Sequence, residues 1–217
     1  MPEPTVVTIP NGQFLENCYL VGDDATGTAA IIDPGEEWET FLAELERRRW
    51  RLEAIWLTHA HLDHIVGVAE IHAATGAPIW LHPGDRALYD TLPQQGLWFG
   101  LRLAPPPPPR HALAAGDRLA VAGHCFEVRH TPGHSPGSVS LVGDGVVFSG
   151  DALFAGSIGR TDLPGGDYDT LIMSIRRELL SLPDETIVLS GHGPPTTIAA
   201  ERAGNPFLQP SPIPGMS

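Results

Sequence analysis

The hydrophobic pattern of the chain alternates between short apolar runs and longer stretches in which apolar residues recur every three or four positions. The short runs are rich in β-branched residues, which is typical of strands. Trp38, Phe41, Leu42 and Leu45 show the longer spacing, which is typical of an amphipathic helix. The pattern predicts strands over residues 6–9, 18–21, 29–32, 54–57, 78–81, 118–121, 125–129, 138–142, 146–149 and 186–189. It predicts helices over residues 36–49, 65–76, 84–92 and 168–182.

Residues 92–116 interrupt this alternation. They include five consecutive prolines at 105–109, which lack backbone N–H donors and favour an extended path. We predict a surface loop here that lines or covers a site. We place this loop within a domain and not between domains, because the residues before it form too small a core of their own.

The order of the predicted elements indicates the fold class. Each half of the chain is a strand-rich stretch followed by helix and strand, and the strands at 138–142 and 146–149 are joined by a Gly-Asp-Gly hairpin turn. Two such halves, packed sheet against sheet with helices outside, form a four-layer αββα sandwich of the α/β (α+β) class. We expect one domain over residues 1–217.

Composition narrows the possible partners. Hydrophobic residues make up 42% of the chain, which is typical of a folded protein. The formal net charge is −13, so the protein surface repels a phosphate backbone. No apolar run reaches the ~20 residues of a membrane span, and the first residues lack the pattern of a secretory signal. Cys18 and Cys125 stand far apart, which favours reduced thiols. We therefore expect a cytoplasmic protein that acts on a small molecule, without nucleic acid or membrane.

The densest cluster of chemistry is the histidine segment, residues 58–64, directly after a predicted strand. It reads H-x-H-x-D-H from His59 to His64. His59 and His61 project to one side of an extended segment, and a turn at Leu62 swings Asp63 and His64 toward a neighbouring point. This spacing favours two adjacent metal positions. The alternative is a polar loop in which Asp63 caps the following helix.

Three further ligand-type residues follow later strands. His134 lies in a loop rich in glycine and proline, Asp151 follows the strand at 146–149, and His192 stands between two glycines after the strand at 186–189. Each alone is typical of a turn. Because the strand ends of one sheet share an edge, these loops can meet, and their joint occurrence indicates a common site.

Imidazole and carboxylate ligands suit zinc, iron or manganese, and the absence of thiolates disfavours a structural zinc site. We expect two divalent ions, with zinc as the first choice. We assign His59, His61 and His134 to a first set that holds one ion. We assign Asp63, His64 and His192 to a second set that holds the other ion, and Asp151 to the bridge between the ions. A water held between the ions loses a proton near neutral pH and becomes the attacking hydroxide, which Asp63 also orients.

This pattern resembles the metallo-β-lactamase superfamily, whose hallmark is the H-x-H-x-D-H loop with a distal His, Asp and His. All seven residues match without a gap, and the resemblance covers nearly the whole chain. Asp33, in an Ile-Asp-Pro-Gly turn, also matches, and the resemblance implies that it supports the histidine segment from behind the metal ligands. The resemblance also implies the αββα sandwich.

Within the superfamily, the chain is most similar to the short glyoxalase II-like hydroxyacylglutathione hydrolases. The specific likeness lies in residues 156–162, 191–194 and 205–207. It implies hydrolysis of a glutathione thioester such as S-lactoylglutathione. Full-length glyoxalase II carries a helical C-terminal domain that binds glutathione, and the present chain ends too soon after His192 to include it. Arg160 is the candidate for a substrate carboxylate, and the alternative is a surface pair with Asp162.

Other interpretations use the same residues differently. A persulfide dioxygenase would hold one iron with His59, His134 and Asp151, but it would not need His192. A lactonase of the same superfamily remains an alternative. A β-lactamase would need an export signal, RNA processing conflicts with the acidic surface, and a redox module of the flavodiiron type would need a flavin domain. The other histidines are interpreted as structural: His72, His82, His111, His124 and His130.

Overall fold

The computed structural model describes residues 4–209. Within them, strands form two six-stranded sheets and a small hairpin. In spatial order, the first sheet contains β1 (Thr5–Asn11), β2 (Glu16–Asp23), β3 (Thr28–Ile32), β4 (Arg51–Trp56), β5 (Ile79–Leu81) and β6 (His111–Ala112). The later strands are β7 (Arg118–Val121), β8 (His124–His130), β9 (Val139–Gly143), β10 (Val146–Gly150), β11 (Leu153–Phe154), β12 (Ser157–Ile158), β13 (Ile187–Ser190) and β14 (Thr196–Thr197). Of these, β11 and β12 form the hairpin, and the others form the second sheet in the order β7-β8-β9-β10-β13-β14.

The helices connect these strands along the outer faces of the sheets. They are α1 (Trp38–Arg48), α2 (Leu62–Ile65), α3 (Val68–Thr75), α4 (Arg86–Asp90), α5 (Leu92–Trp98), α6 (Tyr168–Ser174) and α7 (Ile198–Gly204). A 3-10 turn at Pro83–Asp85 precedes α4, and a π-helical turn at Ile175–Leu179 continues α6. Among residues 4–209, none of these helices combines the length and apolar character that a bilayer crossing requires.

The layers follow from the alternation of side chains along each strand. In β2, Cys18 and Leu20 are buried against the helices on the outer face of the first sheet, whereas Tyr19 and Val21 are buried between the two sheets. A third cluster, which includes Leu171, fills the space between the second sheet and its own helices. The predicted four-layer αββα sandwich is therefore confirmed.

The structure differs from the prediction in residues 92–116. Instead of a continuous loop, this stretch contains α5 at its start and β6 near its end. Pro93 is compatible with a helix because it lies in the first turn, where its missing N–H would have no intrahelical partner. The prolines at 105–109 then lead to Arg110, whose amide donates to the carbonyl of Ile79 at 3.0 Å and starts the pairing of β6 with β5.

The helix predicted over 65–76 is divided into α2 and α3. The division occurs at Gly67, whose backbone packs against the turn after β3. A Cβ at this position would collide with the carbonyl oxygen of Gly35. The close packing of these two backbones sets the direction of the histidine segment, which leads into α2.

Candidate metal centre

The seven residues that the sequence singles out lie together at one edge of the sandwich. Four belong to the histidine segment after β4, and one each follows β8, β10 and β13. Backbone hydrogen bonds join these segments. The amide of Val139 donates to the carbonyl of Thr58 at 2.8 Å, and the amide of Gly191 donates to the carbonyl of Gly150 at 2.9 Å. Strand ends from both sheets therefore converge on one place.

His59, His61 and His134 form the first set of ligand-type side chains. The Nε2 atom of His134 lies 3.2 Å from Nε2 of His59 and 2.8 Å from Nδ1 of His61. The ligand atoms of all three side chains lie within 4.8 Å of one another. Three imidazoles at this spacing can hold one ion and leave a position open.

Asp63, His64 and His192 form the second set, and their ligand atoms also lie within 4.8 Å of one another. The Oδ2 atom of Asp63 lies 3.2 Å from Nε2 of His192 and 3.8 Å from Nε2 of His64. This set mixes carboxylate and imidazole ligands, which suits zinc, iron or manganese.

Asp151 lies between the two sets. Its Oδ2 atom is 3.5 Å from Nε2 of His134 in the first set and 3.6 Å from Nε2 of His192 in the second. Its Oδ1 atom is 3.4 Å from Nε2 of His64. Oδ2 therefore faces both sets, and a carboxylate in this position can serve two adjacent ions.

In two of the histidines, a hydrogen bond from the Nδ1 atom shows which ring nitrogen is free to bind a metal. Nδ1 of His134 donates to the carbonyl of Arg160 at 2.8 Å, and Nδ1 of His192 donates to the carbonyl of Phe14 at 3.1 Å. A neutral imidazole that donates from one nitrogen presents a lone pair at the other. Both rings therefore point an unprotonated Nε2 into the site.

Two buried atoms indicate that a cation belongs here. Nε2 of His64 and Oδ1 of Asp151 face each other, and neither forms a hydrogen bond with any of the described residues. In the first set, Nε2 of His59 and Nε2 of His134 lie 3.2 Å apart, although each ring donates from its Nδ1 atom and so presents a lone pair at Nε2. Unpaired acceptors at these distances are unfavourable in a buried site. Divalent ions between them would satisfy all of these atoms.

Burial and neighbouring charges set the ionisation of the site. Burial, reinforced by the charges of neighbouring imidazoles, lowers the pKa of His61 to about 3 and also holds the pKa of His59 well below its usual range. Burial raises the pKa of Asp151, but the charge of nearby imidazoles, first that of His64, outweighs burial and holds the pKa well below its usual range. Neutral imidazoles and ionised carboxylates are the forms that bind metal.

Asp33 supports the site from behind the metal ligands, where the resemblance places it. Its carboxylate accepts hydrogen bonds from the amide of Thr58 at 2.7 Å, from the hydroxyl of Thr58 at 2.5 Å and from Nδ1 of His64 at 3.1 Å. The Thr58 oxygen lies 3.1 Å from Nδ1 of His59. Asp33 thus orients the rings of two histidines, one from each set.

Asp85 was missed by the sequence reasoning, although it ties two ligand segments together. Its buried carboxylate accepts from the amide of Ala60 at 3.0 Å, from the hydroxyl of Ser135 at 2.7 Å and from the amide of Gly137 at 2.6 Å. Ala60 lies in the histidine segment, and Ser135 and Gly137 follow His134 in its loop. No local signal marked this residue, because Asp85 lies in a 3-10 turn beyond the end of β5, whereas Asp151 immediately follows β10.

Gln95 was missed as well, and it holds the same histidine segment from α5. Its Oε1 atom accepts from the amide of Leu62 at 2.9 Å, and its Nε2 atom donates to the carbonyls of Ala60 and Leu88 at 3.0 Å each. Because α5 lies in a stretch predicted as loop, no local pattern marked this glutamine.

Arg160 has a different environment from the metal ligands. Its exposed guanidinium donates two hydrogen bonds to Asp162, both at 2.7 Å. The surface pair considered as the alternative is therefore present. Arg160 also lines the cavity described below, so its charge lies at the edge of the site.

The remaining histidines have other partners. Nδ1 of His72 contacts the carbonyl of Ala77 at 2.8 Å, and Nδ1 of His124 contacts Asp144 at 2.8 Å. The other three stack on aromatic rings, namely His111 on Trp80, and His82 and His130 on each other. This agrees with their interpretation as structural residues.

A cavity of about 430 Å³ opens directly onto the site. Its floor contains members of both ligand sets and Asp151. Its walls are formed largely by apolar side chains, namely Phe14, Leu62, Trp98, Phe99, Phe154, Ile158 and Leu163. A small molecule in this cavity would lie in contact with both metal positions.

Comparison with known proteins gives matches along nearly the whole chain. A family model described as the metallo-beta-lactamase superfamily matches residues 11–192. The hydroxyacylglutathione hydrolase GloC of Haemophilus influenzae is 43% identical over 92% of this chain and 96% of its own length. The crystal structure of BLEG-1 B3 metallo-beta-lactamase has a TM-score of 0.89 and 41% identity, and covers 95% of this chain and 100% of that one. The structure of TTHA1623 in a di-iron-bound form has a TM-score of 0.86 and 45% identity, and covers 94% and 100%.

Proposed function

Since the chain belongs to the metallo-β-lactamase superfamily and is a metal-dependent hydrolase, we propose that it hydrolyses a glutathione-type thioester, such as S-lactoylglutathione, to the acid and the free thiol. The convergence of two ligand sets on Asp151 carries the proposal, because a dinuclear arrangement suits hydrolysis. The hydroxyacylglutathione hydrolase named among the similar proteins supports this choice of substrate.

Two divalent ions, one in each ligand set, would supply a water of lowered pKa as nucleophile and would polarise the carbonyl of the substrate. Zinc is the first choice for both positions. Iron and manganese are the alternatives that the same ligands accept, and the similar TTHA1623 was crystallised with two irons.

Asp63 is the residue of the chain that we place beside the nucleophile. It lines the cavity, and its Oδ2 atom contacts His192. Burial raises the pKa of Asp63, but the charge of His64 and the contact with the His192 imidazole outweigh burial and lower that pKa overall. Asp63 is therefore ionised at neutral pH and can accept a hydrogen bond that orients the attacking water.

The leaving group needs little help from the protein. A thiol with a pKa near ~8.5 departs as the thiolate, so the reaction does not demand a strong general acid. Arg160 at the edge of the cavity is available to a carboxylate of the departing thiol, if its pairing with Asp162 opens.

The substitution His192→Ala tests the ligand assignment, because it removes one of three side chains of the second set. We expect the metal content to fall from about two ions per chain to about one, and thiol release from S-lactoylglutathione to fall at least about a hundredfold. Metal is measured by mass spectrometry and thiol by a chromogenic disulfide reagent. His72→Ala, which alters a histidine outside the site, is the matched control.

Two results would contradict the proposal separately. Two full ions per chain in His192→Ala would remove His192 from the ligands. Fully metal-loaded protein without thioester hydrolysis would remove the substrate class. Oxygen consumption with glutathione persulfide, in place of hydrolysis, would favour the single-iron dioxygenase.

A further inference from the structure

Four aromatic side chains, those of Phe14, Trp98, Phe99 and Phe154, line the cavity, and we call these four residues the aromatic wall. Phe14 and Phe99 pack edge to face, with ring centroids 5.0 Å apart, and so connect the β1–β2 turn to the end of α5. Phe154 lies edge-on to the ring of His192 at 6.1 Å. The wall therefore begins beside a member of the second ligand set.

Part of this wall is exposed to solvent. Trp98 is 66% exposed and Phe99 is 48% exposed. Leu97, which precedes Trp98, is 66% exposed, and Leu15, which follows Phe14, is 68% exposed. Large apolar side chains grouped at the mouth of a cavity indicate a surface that an apolar ligand covers.

Most polar groups of the cavity are engaged with other parts of the protein. The side-chain amide of Gln95 makes three hydrogen bonds to the surrounding backbone, which use both of its N–H donors. Arg160, the cation among the lining residues, is paired with Asp162. The histidines and aspartates belong to the ligand sets. Recognition along the aromatic wall therefore depends on apolar contact.

The cavity has two chemically different ends. The ring of Phe154 lies edge-on to His192 of the second set, so the aromatic wall adjoins that metal position. The backbone carbonyl of Arg160 accepts from His134 of the first set, and the Arg160 side chain lines the cavity, so this residue lies toward the other position. A thioester centred over Asp151 would therefore have an apolar environment on one flank and a cationic one on the other.

We propose that the site selects thioesters whose acyl group is aromatic or similarly large and apolar, with that group on the aromatic wall and the anionic thiol toward Arg160. This inference rests on the proposed thioester hydrolysis and specifies the acyl half of the substrate. Trp98 and Phe99 are its specificity-determining residues. A small hydroxylated acyl group such as lactoyl would leave the wall largely uncovered.

Three glutathione thioesters with the same thiol test the proposal, namely the acetyl, lactoyl and phenylacetyl esters. With metal-quantified protein, we expect kcat/KM for the phenylacetyl ester to exceed that for the acetyl ester by about tenfold or more, since a phenyl ring adds buried apolar area. Trp98→Ala and Phe99→Ala should each reduce the ratio of kcat/KM between the phenylacetyl and the acetyl ester severalfold. Met173→Ala, an exposed apolar residue outside the cavity, is the control.

Binding of the acid products separates this inference from the proposed function. Phenylacetate and acetate are titrated into metal-loaded protein by calorimetry, and we expect phenylacetate to bind more tightly by about the same factor as above, with the difference lost in Phe99→Ala. Thioester hydrolysis with no dependence on the acyl group would overturn the inference and leave the proposed function intact. Tighter binding of phenylacetate that depends on the aromatic wall, without thioester hydrolysis, would overturn the proposed function and leave the apolar selectivity of the cavity intact. Equal binding of both acids with no hydrolysis would overturn both.

Discussion

The carboxylate of Asp85 accepts three hydrogen bonds in the interior, one from the histidine segment and two from residues beside His134. Gly137 approaches this carboxylate so closely that a Cβ there would collide with the backbone of Asp85. The side chain thus fixes the distance between two segments that carry ligands of the first set. We infer that Asp85 positions His59, His61 and His134, since it is not itself a member of either ligand set.

Replacing Asp85 by alanine should weaken metal binding. The change leaves three buried donors without an acceptor, at about 1–3 kcal/mol each, and we expect the affinity of the first metal position to fall about 10–100-fold. Competition with a chromophoric chelator measures this affinity. Asp90→Ala, which removes an exposed aspartate paired with Arg86, is the control. Unchanged metal affinity in folded Asp85→Ala protein would argue against a positioning role.

Among the elements, α5 has two functions. Its buried face presents Gln95 to the histidine segment, and its end presents Trp98 and Phe99 to the cavity. The helix is seven residues long and begins with a proline in its first turn. A short helix of this kind is held in place by tertiary contacts more than by its own propensity. Gln95 provides three of those contacts.

Gln95→Ala should therefore loosen both the helix and the segment that it holds. The loss leaves the amide of Leu62 and the carbonyl of Ala60 without partners, and we expect unfolding free energy to decrease by about 2–4 kcal/mol. Denaturant titration of metal-free protein measures this decrease, so that metal loss does not contribute. Gln94→Ala is a matched control, because Gln94 is the exposed neighbour on the same helix. Equal stabilities of the two variants would contradict the proposed contact.

At the scale of the whole molecule, the ligands come from both sheets. The histidine segment follows β4 of the first sheet, whereas His134, Asp151 and His192 follow strands of the second. Bound ions would therefore link the two halves of the sandwich. The two carboxylates of the site, Asp63 and Asp151, are among the acidic groups that give the formal net charge of −13, and divalent cations would offset part of it.

Removal of the ions should lower the thermal stability of the whole protein. A ligand present at about 1,000 times its Kd adds about 4 kcal/mol to the native state, which corresponds to a shift in Tm of about 10 °C for a chain of this size. Calorimetric scans before and after chelation measure the shift, and added zinc should restore it. Asp151→Ala should show a smaller shift. Identical melting curves with and without metal would contradict a link between the sheets.

The candidate ligand residues could be singled out from the sequence because their signals are local. Strands and helices follow from the period of apolar positions, and His59 to His64, His134, Asp151 and His192 each stand in a loop that follows a predicted strand. Strand ends of one sheet share an edge, which accounts for the proximity of His134, Asp151 and His192. The packing of the two sheets decided that the histidine segment of the first sheet meets them. The Gly-Asp-Gly turn at 143–145 likewise predicted the hairpin of β9 and β10.

The supporting residues and the wall depended on packing between distant parts of the chain. Asp85 reaches a loop 50 residues away, and Gln95 reaches back 35 residues to Ala60. Nothing in the neighbouring residues of either marks these contacts, since they exist only after the helices have packed on the sheet. The sequence by itself determined the alternation of elements and the donor atoms for metal. The tertiary structure alone decided which ring nitrogens are free to bind a metal and which side chains line the cavity, because both depend on distances that no local pattern encodes.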